Sequence, residues 1–258
     1  MENTQFNIET YLNALPDDVE KIDLSNKNLT HIPSLKRFTN LAHLFCDNNN
    51  LTSLPELNEN LKVLSCNNNL LTCLPELNEN LRGLFCNNNQ LTSLPKLNKN
   101  LRGLYCNNNR LTSLPKLNEN LRGLYCNNNQ LTSLPELNKY LKGLFCNNNQ
   151  LTSLPELNEN LKLLSCNNNQ LTSLPELNKH LKGLYCNNNQ LTCLPLPKLN
   201  KNLNILSCNN QSTISPELTK TITILKWDTN LLNLTKNISL WFCIYRVLLY
   251  INSLVCKK

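Results

Sequence analysis

The chain has 258 residues, a net charge of +7 and 13 Cys, and 17% of its residues are charged. Its 5 Gly exclude a collagen-like protein, and the regular recurrence of Leu argues against disorder. The chain is very rich in Asn but contains two Ala, which makes it a poor match for helical or Rossmann-type enzymes. The positive charge is spread along the chain, so it permits an acidic partner without requiring one.

The N-terminal segment predicts a cap rather than a leader peptide. The first residues lack a basic start followed by an apolar core, so we expect no secretory signal. Without secretion, the odd number of Cys predicts free thiols in a reducing compartment, and we expect a cytoplasmic protein. Residues 5–14 can form a short amphipathic helix, so residues 1–18 are predicted to cap the first repeat.

The middle of the chain is an internal repeat. From Leu51 to Leu191 a unit of 20 residues recurs almost unchanged, and its first copy reads LTSLPELNENLKVLSCNNNL. The second half of the unit follows the pattern LxxLxCxxNxL. Weaker copies extend the array from Val19 to a last copy that begins at Ile222. The copies predict a solenoid of about eleven turns over residues 19–234, because no single turn can bury its own Leu set.

The LxxLxCxxNxL pattern resembles the leucine-rich repeat, with Cys where many members have Leu or Val. The LTxLPxL half is similar to the short bacterial-type subclass, although Asn58 and its equivalents replace the second Pro of that subclass. The resemblance implies an α/β-type horseshoe: a parallel β-sheet on the concave face, extended or 3₁₀ returns on the convex face, and little helix. The Asn of each turn is expected to bond the backbone inside the solenoid.

The whole chain also resembles the Asn-rich leucine-rich-repeat proteins of giant amoeba viruses, the mimivirus-like group. That resemblance implies a protein that acts in the cytoplasm of an infected host, and it implies no defined activity. Because leucine-rich-repeat proteins use the concave face for partners, we expect a protein partner, whose identity the sequence does not give.

Two positions on the predicted concave face vary together. In five turns a Gly stands two residues before an aromatic, whereas Val63, Leu163 and Ile205 stand two residues before a Ser. We expect the Gly to leave room for the ring to lie along the sheet; His43 with Phe45 is the exception. Contiguous exposed aromatics are typical of interfaces, and duplication of whole units is the alternative explanation. The aromatics predicted to bind a partner are Phe85, Tyr105, Tyr125, Phe145 and Tyr185.

A basic residue follows the first Leu of the strand motif in seven turns. One interpretation is a solvated edge that keeps the sheet soluble; the other is a rim that steers an acidic partner. Nucleic acid along this edge is the less favoured partner. We include Arg82, Arg102 and Arg122 among the predicted partner-binding residues. The full set is Lys62, Arg82, Arg102, Arg122, Lys142, Lys162 and Lys182.

Nine Cys, from Cys46 to Cys208, recur at one position of the repeat. A metal site needs ligands that converge on one point, which a line of thiols does not provide. We therefore predict small buried core residues. The three His lie in unrelated registers and no phosphate loop or nucleophile motif is present. We predict no catalytic residue, metal, cofactor or small-molecule substrate, and we do not expect an enzyme.

Residues 235–258 are predicted to be a hydrophobic C-terminal cap or tail. The apolar run 238–256 is about as long as a membrane span, but Arg246 near its middle would cost roughly 2.5–3.5 kcal/mol on insertion. The favoured prediction is a non-enzymatic protein–protein interaction module that binds a partner on its concave face. The alternative is a membrane-anchored or virion structural protein that uses this tail.

Overall fold

The computed structural model describes residues 6–192 and 202–208. Ten strands of three residues each form one parallel sheet, in which the spatial order is the chain order. The sheet confirms the predicted leucine-rich-repeat horseshoe, and the last predicted copy, from Ile222, lies outside the described residues. The strands are β1 (Lys21–Asp23), β2 (His43–Phe45), β3 (Val63–Ser65), β4 (Gly83–Phe85), β5 (Gly103–Tyr105), β6 (Gly123–Tyr125), β7 (Gly143–Phe145), β8 (Leu163–Ser165), β9 (Gly183–Tyr185) and β10 (Ile205–Ser207).

The repeat period sets the register of the sheet. Leu64 of β3 pairs with Leu84 of β4, and the same offset of one repeat relates the strands as far as β9. The middle residue of each strand from β1 to β9 is buried, because successive side chains of a strand point to opposite faces. In the described part of the chain, the returns between strands are extended segments and turns.

The core is one continuous column of Leu and Cys. In the turn that contains β3, Leu64, Cys66 and Leu71 have no exposed surface, and their equivalents join the same cluster. Burial of a Leu side chain contributes roughly 1.5–3 kcal/mol. Because each turn covers the apolar edge of the turn before it, stability depends on stacking.

Three consecutive Asn follow each column Cys from Cys66 to Cys186, and the last of them closes the strand as predicted. Oδ1 of Asn69 accepts a hydrogen bond from the Leu51 amide at 3.0 Å. Its Nδ2 donates to the carbonyl oxygens of Cys46 at 3.0 Å and Cys66 at 3.2 Å. One buried amide therefore satisfies backbone groups of two turns.

The other two Asn of each triplet form side-chain ladders that the sequence pattern did not predict. Nδ2 of Asn87 donates to Oδ1 of Asn67 at 2.8 Å, and Nδ2 of Asn68 donates to Oδ1 of Asn48 at 2.7 Å. The middle Asn also has a positive φ, 54° at Asn68. Asn tolerates this left-handed conformation better than most residues do, which explains its recurrence in a chain with little Gly.

The Asn that replaces the second Pro on the convex side makes a further contact between turns. Nδ2 of Asn78 donates to the Asn58 carbonyl oxygen at 2.8 Å. The amide of Asn80 donates to Oδ1 of Asn78 at 2.8 Å, which forms a local turn. The departure from the bacterial-type pattern thus exchanges a rigid Pro for hydrogen bonds.

The predicted short helix at the N-terminus is α1 (Ile8–Asn13). Asn7 caps it, because its side chain accepts a hydrogen bond from the Thr10 amide at 3.0 Å. Ile8 and Leu12 are buried and belong to the core cluster of the repeats. No helix within residues 6–192 and 202–208 combines the length and apolar character needed to cross a membrane. The proposed anchor at 238–256 lies outside those residues.

Candidate functional site

The concave face consists of parallel columns of side chains, because every strand presents the same positions in register. The residue before each strand contributes a basic column, which we define as Lys62, Arg82, Arg102, Arg122, Lys142, Lys162 and Lys182. The third residue of four adjacent strands contributes an aromatic ladder, which we define as Phe85, Tyr105, Tyr125 and Phe145.

The rings of the aromatic ladder stack face to face. Centroid distances are 4.5 Å from Phe85 to Tyr105, 4.4 Å from Tyr105 to Tyr125 and 4.6 Å from Tyr125 to Phe145. Interplanar angles are between 6° and 14°. The spacing of strands in a sheet, about 4.8 Å, imposes this separation. The ring faces therefore cover one another, and mainly ring edges are left for a partner.

Each ring of the ladder lies over the Gly of its own strand. A Cβ added to Gly103 would stand 3.0 Å from Cε2 of Tyr105, and one added to Gly123 would stand 3.1 Å from Cε2 of Tyr125. These distances confirm that the Gly leaves room for the ring. Gly183 differs, since an added Cβ would meet Cδ2 of Leu163 at 2.9 Å before it met its own aromatic.

The predicted aromatic row is less exposed than expected. Phe85 is buried, with 8% of its surface exposed, whereas Tyr105, Tyr125 and Phe145 are half-buried. Burial raises the pKa of Tyr105 and Tyr125, so both hydroxyls stay protonated near neutral pH. Stacking of the rings on one another, which the sequence did not indicate, accounts for the lost exposure.

Tyr185 is separated from the ladder by one strand. The intervening strand places Ser165 at the equivalent position, where Ser165 is buried. Its Oγ donates to Oδ1 of Asn147 at 2.8 Å, which connects it to the neighbouring Asn ladder. The five predicted aromatics are therefore a stack of four and one separate half-buried ring.

The basic column carries positive charge on consecutive strands. The amide of Arg102 donates to the Arg82 carbonyl oxygen at 2.8 Å, and the amide of Arg122 donates to that of Arg102 at the same distance. Lys62, Arg82, Arg102 and Lys182 are exposed, whereas the other three members are half-buried. Burial, then the charges of Arg122 and Lys162, lower the pKa of Lys142.

Carboxylates do not neutralise this column within the described residues. The ion pairs found there join Lys36 to Glu56 at 2.7 Å and Arg37 to Asp17 at 2.9 Å, outside the column. The three Arg predicted to bind a partner thus lie next to one another, on the strands that carry the first three rings of the ladder.

The cysteine column belongs to the core, as predicted. Sγ of Cys46 donates to the Ser65 carbonyl oxygen at 3.3 Å, and the thiols of the column from Cys46 to Cys186 are not joined in disulfides. Burial raises the pKa of Cys106 and of Cys166 to about 12. Within the part of the chain that the structure describes, His, Cys, Asp and Glu side chains form no cluster able to hold a metal ion.

The comparisons with known proteins agree with the repeat and the fold. Residues 99–139 match the family model described as Leucine Rich repeats (2 copies). The chain is similar to YopM from Yersinia enterocolitica WA-314, with 31% identity and a TM-score of 0.70 over 82% of this chain and 51% of that chain. It is also similar to YopM, a leucine-rich effector protein from Yersinia pestis, with 33% identity and a TM-score of 0.69 over 76% of this chain and 61% of that chain.

A third similar structure is a bacterial protein domain. The functional domain of InlJ from Listeria monocytogenes, described as including a cysteine ladder, is 26% identical with a TM-score of 0.51, over 74% of this chain and 54% of that chain. This chain thus spans only part of the length of these relatives. Curated protein sequences give no match, and the resemblance to giant-virus proteins finds no support in these comparisons.

The fold is therefore that of leucine-rich-repeat proteins, which is typical of protein–protein interaction modules. Such proteins are generally non-enzymatic binding scaffolds.

The Asn ladders that border the aromatic positions were not predicted from the sequence as elements of the concave surface. The three consecutive Asn in each copy were the available signal, since only the last of them belongs to the repeat pattern.

Proposed function

We propose that this chain is a non-enzymatic module that binds a protein partner on its concave face. The observation that carries the proposal is the basic column, which has no carboxylate partner among the described residues, beside a row of half-buried aromatic edges. Apolar edges flanked by charge match the composition of protein interfaces, in which aromatic residues and Arg are enriched. The contacts centre on Tyr105, Tyr125, Phe145, Arg102 and Arg122, with Phe85, Tyr185 and Arg82 at the ends of the surface.

The proposed setting is a reducing cytoplasm. Buried thiols from Cys46 to Cys186 that form no disulfide are compatible with a reducing compartment. The Yersinia pestis relative is described as a leucine-rich effector protein. The alternative of a membrane-anchored or virion structural protein depends on residues 238–256, outside the described residues, and we do not propose it.

The test is affinity capture from cell lysate with quantitative mass spectrometry. The ladder variant replaces two strands with the pair found naturally in β3: Gly103→Val with Tyr105→Ser, and Gly123→Val with Tyr125→Ser. This exchange removes two rings while it keeps bulk on each strand, and circular dichroism checks the fold. The control variant changes Glu56, Glu76, Glu136 and Glu156, which are exposed on the convex side, to Gln.

We expect specific partners to be lost from the ladder variant and kept by the convex control. Partners that bind both variants as they bind the unmodified chain would contradict concave binding. In that case the convex side becomes the surface to test.

A further inference from the structure

We propose that the basic column binds an acidic polypeptide segment in extended conformation, which crosses the strands along the length of the sheet. The inference rests on the proposed function and adds to it the chemistry and the direction of the partner. The occupant carries carboxylates toward the basic column and apolar side chains toward the aromatic ladder.

The first argument is the spacing of the charges. A backbone hydrogen bond joins each column residue to the next one along the sheet, as in the 2.8 Å hydrogen bond from the Arg102 amide to the Arg82 carbonyl oxygen. Seven residues at the strand separation of about 4.8 Å extend over about 29 Å. That length corresponds to about nine residues of extended chain at about 3.3 Å each. A partner segment of modest length can therefore span the whole column.

The second argument is that the positive charges of the basic column lie close together and form no ion pairs with carboxylates of the described residues. Among the described residues, both ion pairs lie elsewhere, and the half-buried members Arg122, Lys142 and Lys162 are adjacent. A ligand that supplies carboxylates relieves this repulsion, and Arg can bind a carboxylate through two parallel hydrogen bonds. Arg precedes each of the three strands with which the aromatic ladder begins. The geometry there favours binding of a carboxylate through two hydrogen bonds from one Arg.

The third argument separates a polypeptide from a nucleic acid. Single-stranded nucleic acids bind to basic grooves by stacking bases on free aromatic faces. The faces of Tyr105 and Tyr125 are already covered by neighbouring rings at 4.4–4.6 Å. Edges of rings can pack against apolar side chains instead. An extended polypeptide presents alternate side chains to opposite sides, so acidic and apolar groups can reach the two neighbouring columns.

The chain's own C-terminal sequence does not have the right charge for this site. Residues 211–258 contain two acidic residues, Glu217 and Asp228, against six Lys and Arg. A net positive segment would add to the repulsion along the column. The observations therefore favour a separate acidic partner.

The test measures fluorescence anisotropy of labelled peptides of about ten residues, a length that spans the column at about 3.3 Å per residue. One peptide alternates Glu and Leu, a second has Gln in place of Glu, and a deoxythymidine oligonucleotide of similar length represents nucleic acid. The column variant is Arg82→Gln with Arg102→Gln and Arg122→Gln. The matched control removes three convex charges, Lys96→Gln, Lys99→Gln and Lys116→Gln, whose side chains are exposed.

We expect the unmodified chain to bind the Glu peptide, and the column variant to bind it at least about tenfold more weakly, since three ion pairs are lost, two at the exposed Arg82 and Arg102 and one at the half-buried Arg122. The convex control should bind within about twofold of the unmodified chain. Equal loss in both variants, equal affinity for the Gln peptide, absence of Glu-peptide binding, or preference for the oligonucleotide would overturn the proposal.

Lysate capture with the same column variant distinguishes the two proposals. Partners that are lost from the ladder variant but retained by the column variant would leave concave binding intact and overturn the acidic-partner inference. Partners retained by both variants would overturn both. Partners lost from both, with the convex controls unaffected, support the acidic segment on the concave face.

Discussion

The ring of Tyr105 lies over Gly103, so that a Cβ added to this Gly would stand 3.0 Å from Cε2 of the ring. Two strands away, β3 has Val63 in place of the Gly and Ser65 in place of the aromatic, and Ser65 is buried. From β3 to β10 each strand thus carries one bulky side chain over its outer surface, whereas β2 carries both His43 and Phe45. Local packing explains why Gly and aromatic occur together in this protein.

The packing rule predicts that Gly103→Val destabilises the solenoid unless Tyr105 also changes. The added side chain overlaps the ring and forces a shift, at a cost of about 1–3 kcal/mol. Gly103→Val with Tyr105→Ser reproduces the β3 pair, so we expect it to lose less stability than the sum of the two single changes. Urea denaturation of the four proteins gives the coupling energy.

The matched control for this cycle is the reverse exchange in β3, Val63→Gly with Ser65→Tyr. This double variant should also lose less unfolding free energy than its two single variants lose in sum. If the effects of Gly103→Val and Tyr105→Ser simply add, the ring does not depend on the Gly. The co-occurrence would then reflect duplication of repeat units alone.

Burial of the cysteine column predicts strong protection of its thiols from alkylation. Cys66 and Cys86 are fully buried, and burial raises the pKa of both well above the ordinary range of a thiol. Because the thiolate is the reactive form, iodoacetamide should label these residues only after unfolding. Cys73 is exposed, so it is the internal control and should react in the native protein. Mass spectrometry of the digested peptides measures each site.

Rapid labelling of Cys66 or Cys86 in native buffer would contradict the buried column. Labelling in a urea series should follow the unfolding transition measured by circular dichroism, because exposure of these thiols requires separation of stacked turns.

Asp47 begins the Asn ladder that passes through Asn67. Its Oδ1 accepts hydrogen bonds from Ser65 Oγ at 2.8 Å and from the Asn67 amide at 2.7 Å. Burial raises the pKa of Asp47, with a further contribution from the charge of Asp23, and outweighs the opposing hydrogen bonds. The folded chain therefore holds this proton more tightly than the unfolded chain does.

This difference predicts a stability contribution that is present at low pH and declines as the pH rises from the unfolded pKa, about 4, through the raised folded pKa. Asp47→Asn should remove the decline and be at least as stable at pH 7. Asn147 shows that Asn can fill the role, because its Oδ1 accepts from Ser165 Oγ and the Asn167 amide at 2.8 Å each. Urea denaturation between pH 4 and 7 compares the two proteins, and parallel pH profiles would contradict the assignment.

The strands and the core were predictable because their determinants are local and repeated. The spacing of Leu64, Cys66 and Asn69 specifies which side chains enter the core and where the strand ends. The short N-terminal helix was also predictable, since its apolar spacing and Asn7 cap lie within a few residues of one another.

The residues of the candidate site could be predicted from the sequence, but the geometry in which they are arranged could not. The aromatic positions and the basic positions repeat visibly in the sequence. The exposure of a ring depends on residues in neighbouring turns: Phe85, stacked on Tyr105 at 4.5 Å, is buried, whereas Tyr125, stacked between two rings, is half-buried. Likewise, the role of Asn78 as a donor to Asn58 depends on two convex segments that lie side by side.

The sequence by itself determined the repeat period, the register of the sheet and the Leu and Cys core, because a turn of constant length stacks identical positions on one another. Only the tertiary structure decided how residues at the same position of successive turns interact. Aromatic rings stack on one another, and Asn side chains hydrogen-bond into ladders. Lys and Arg of the basic column lie side by side without an ion pair to a carboxylate among the described residues. The physical reason is that these interactions act between turns at the strand separation, where neighbours in space are twenty residues apart in the chain.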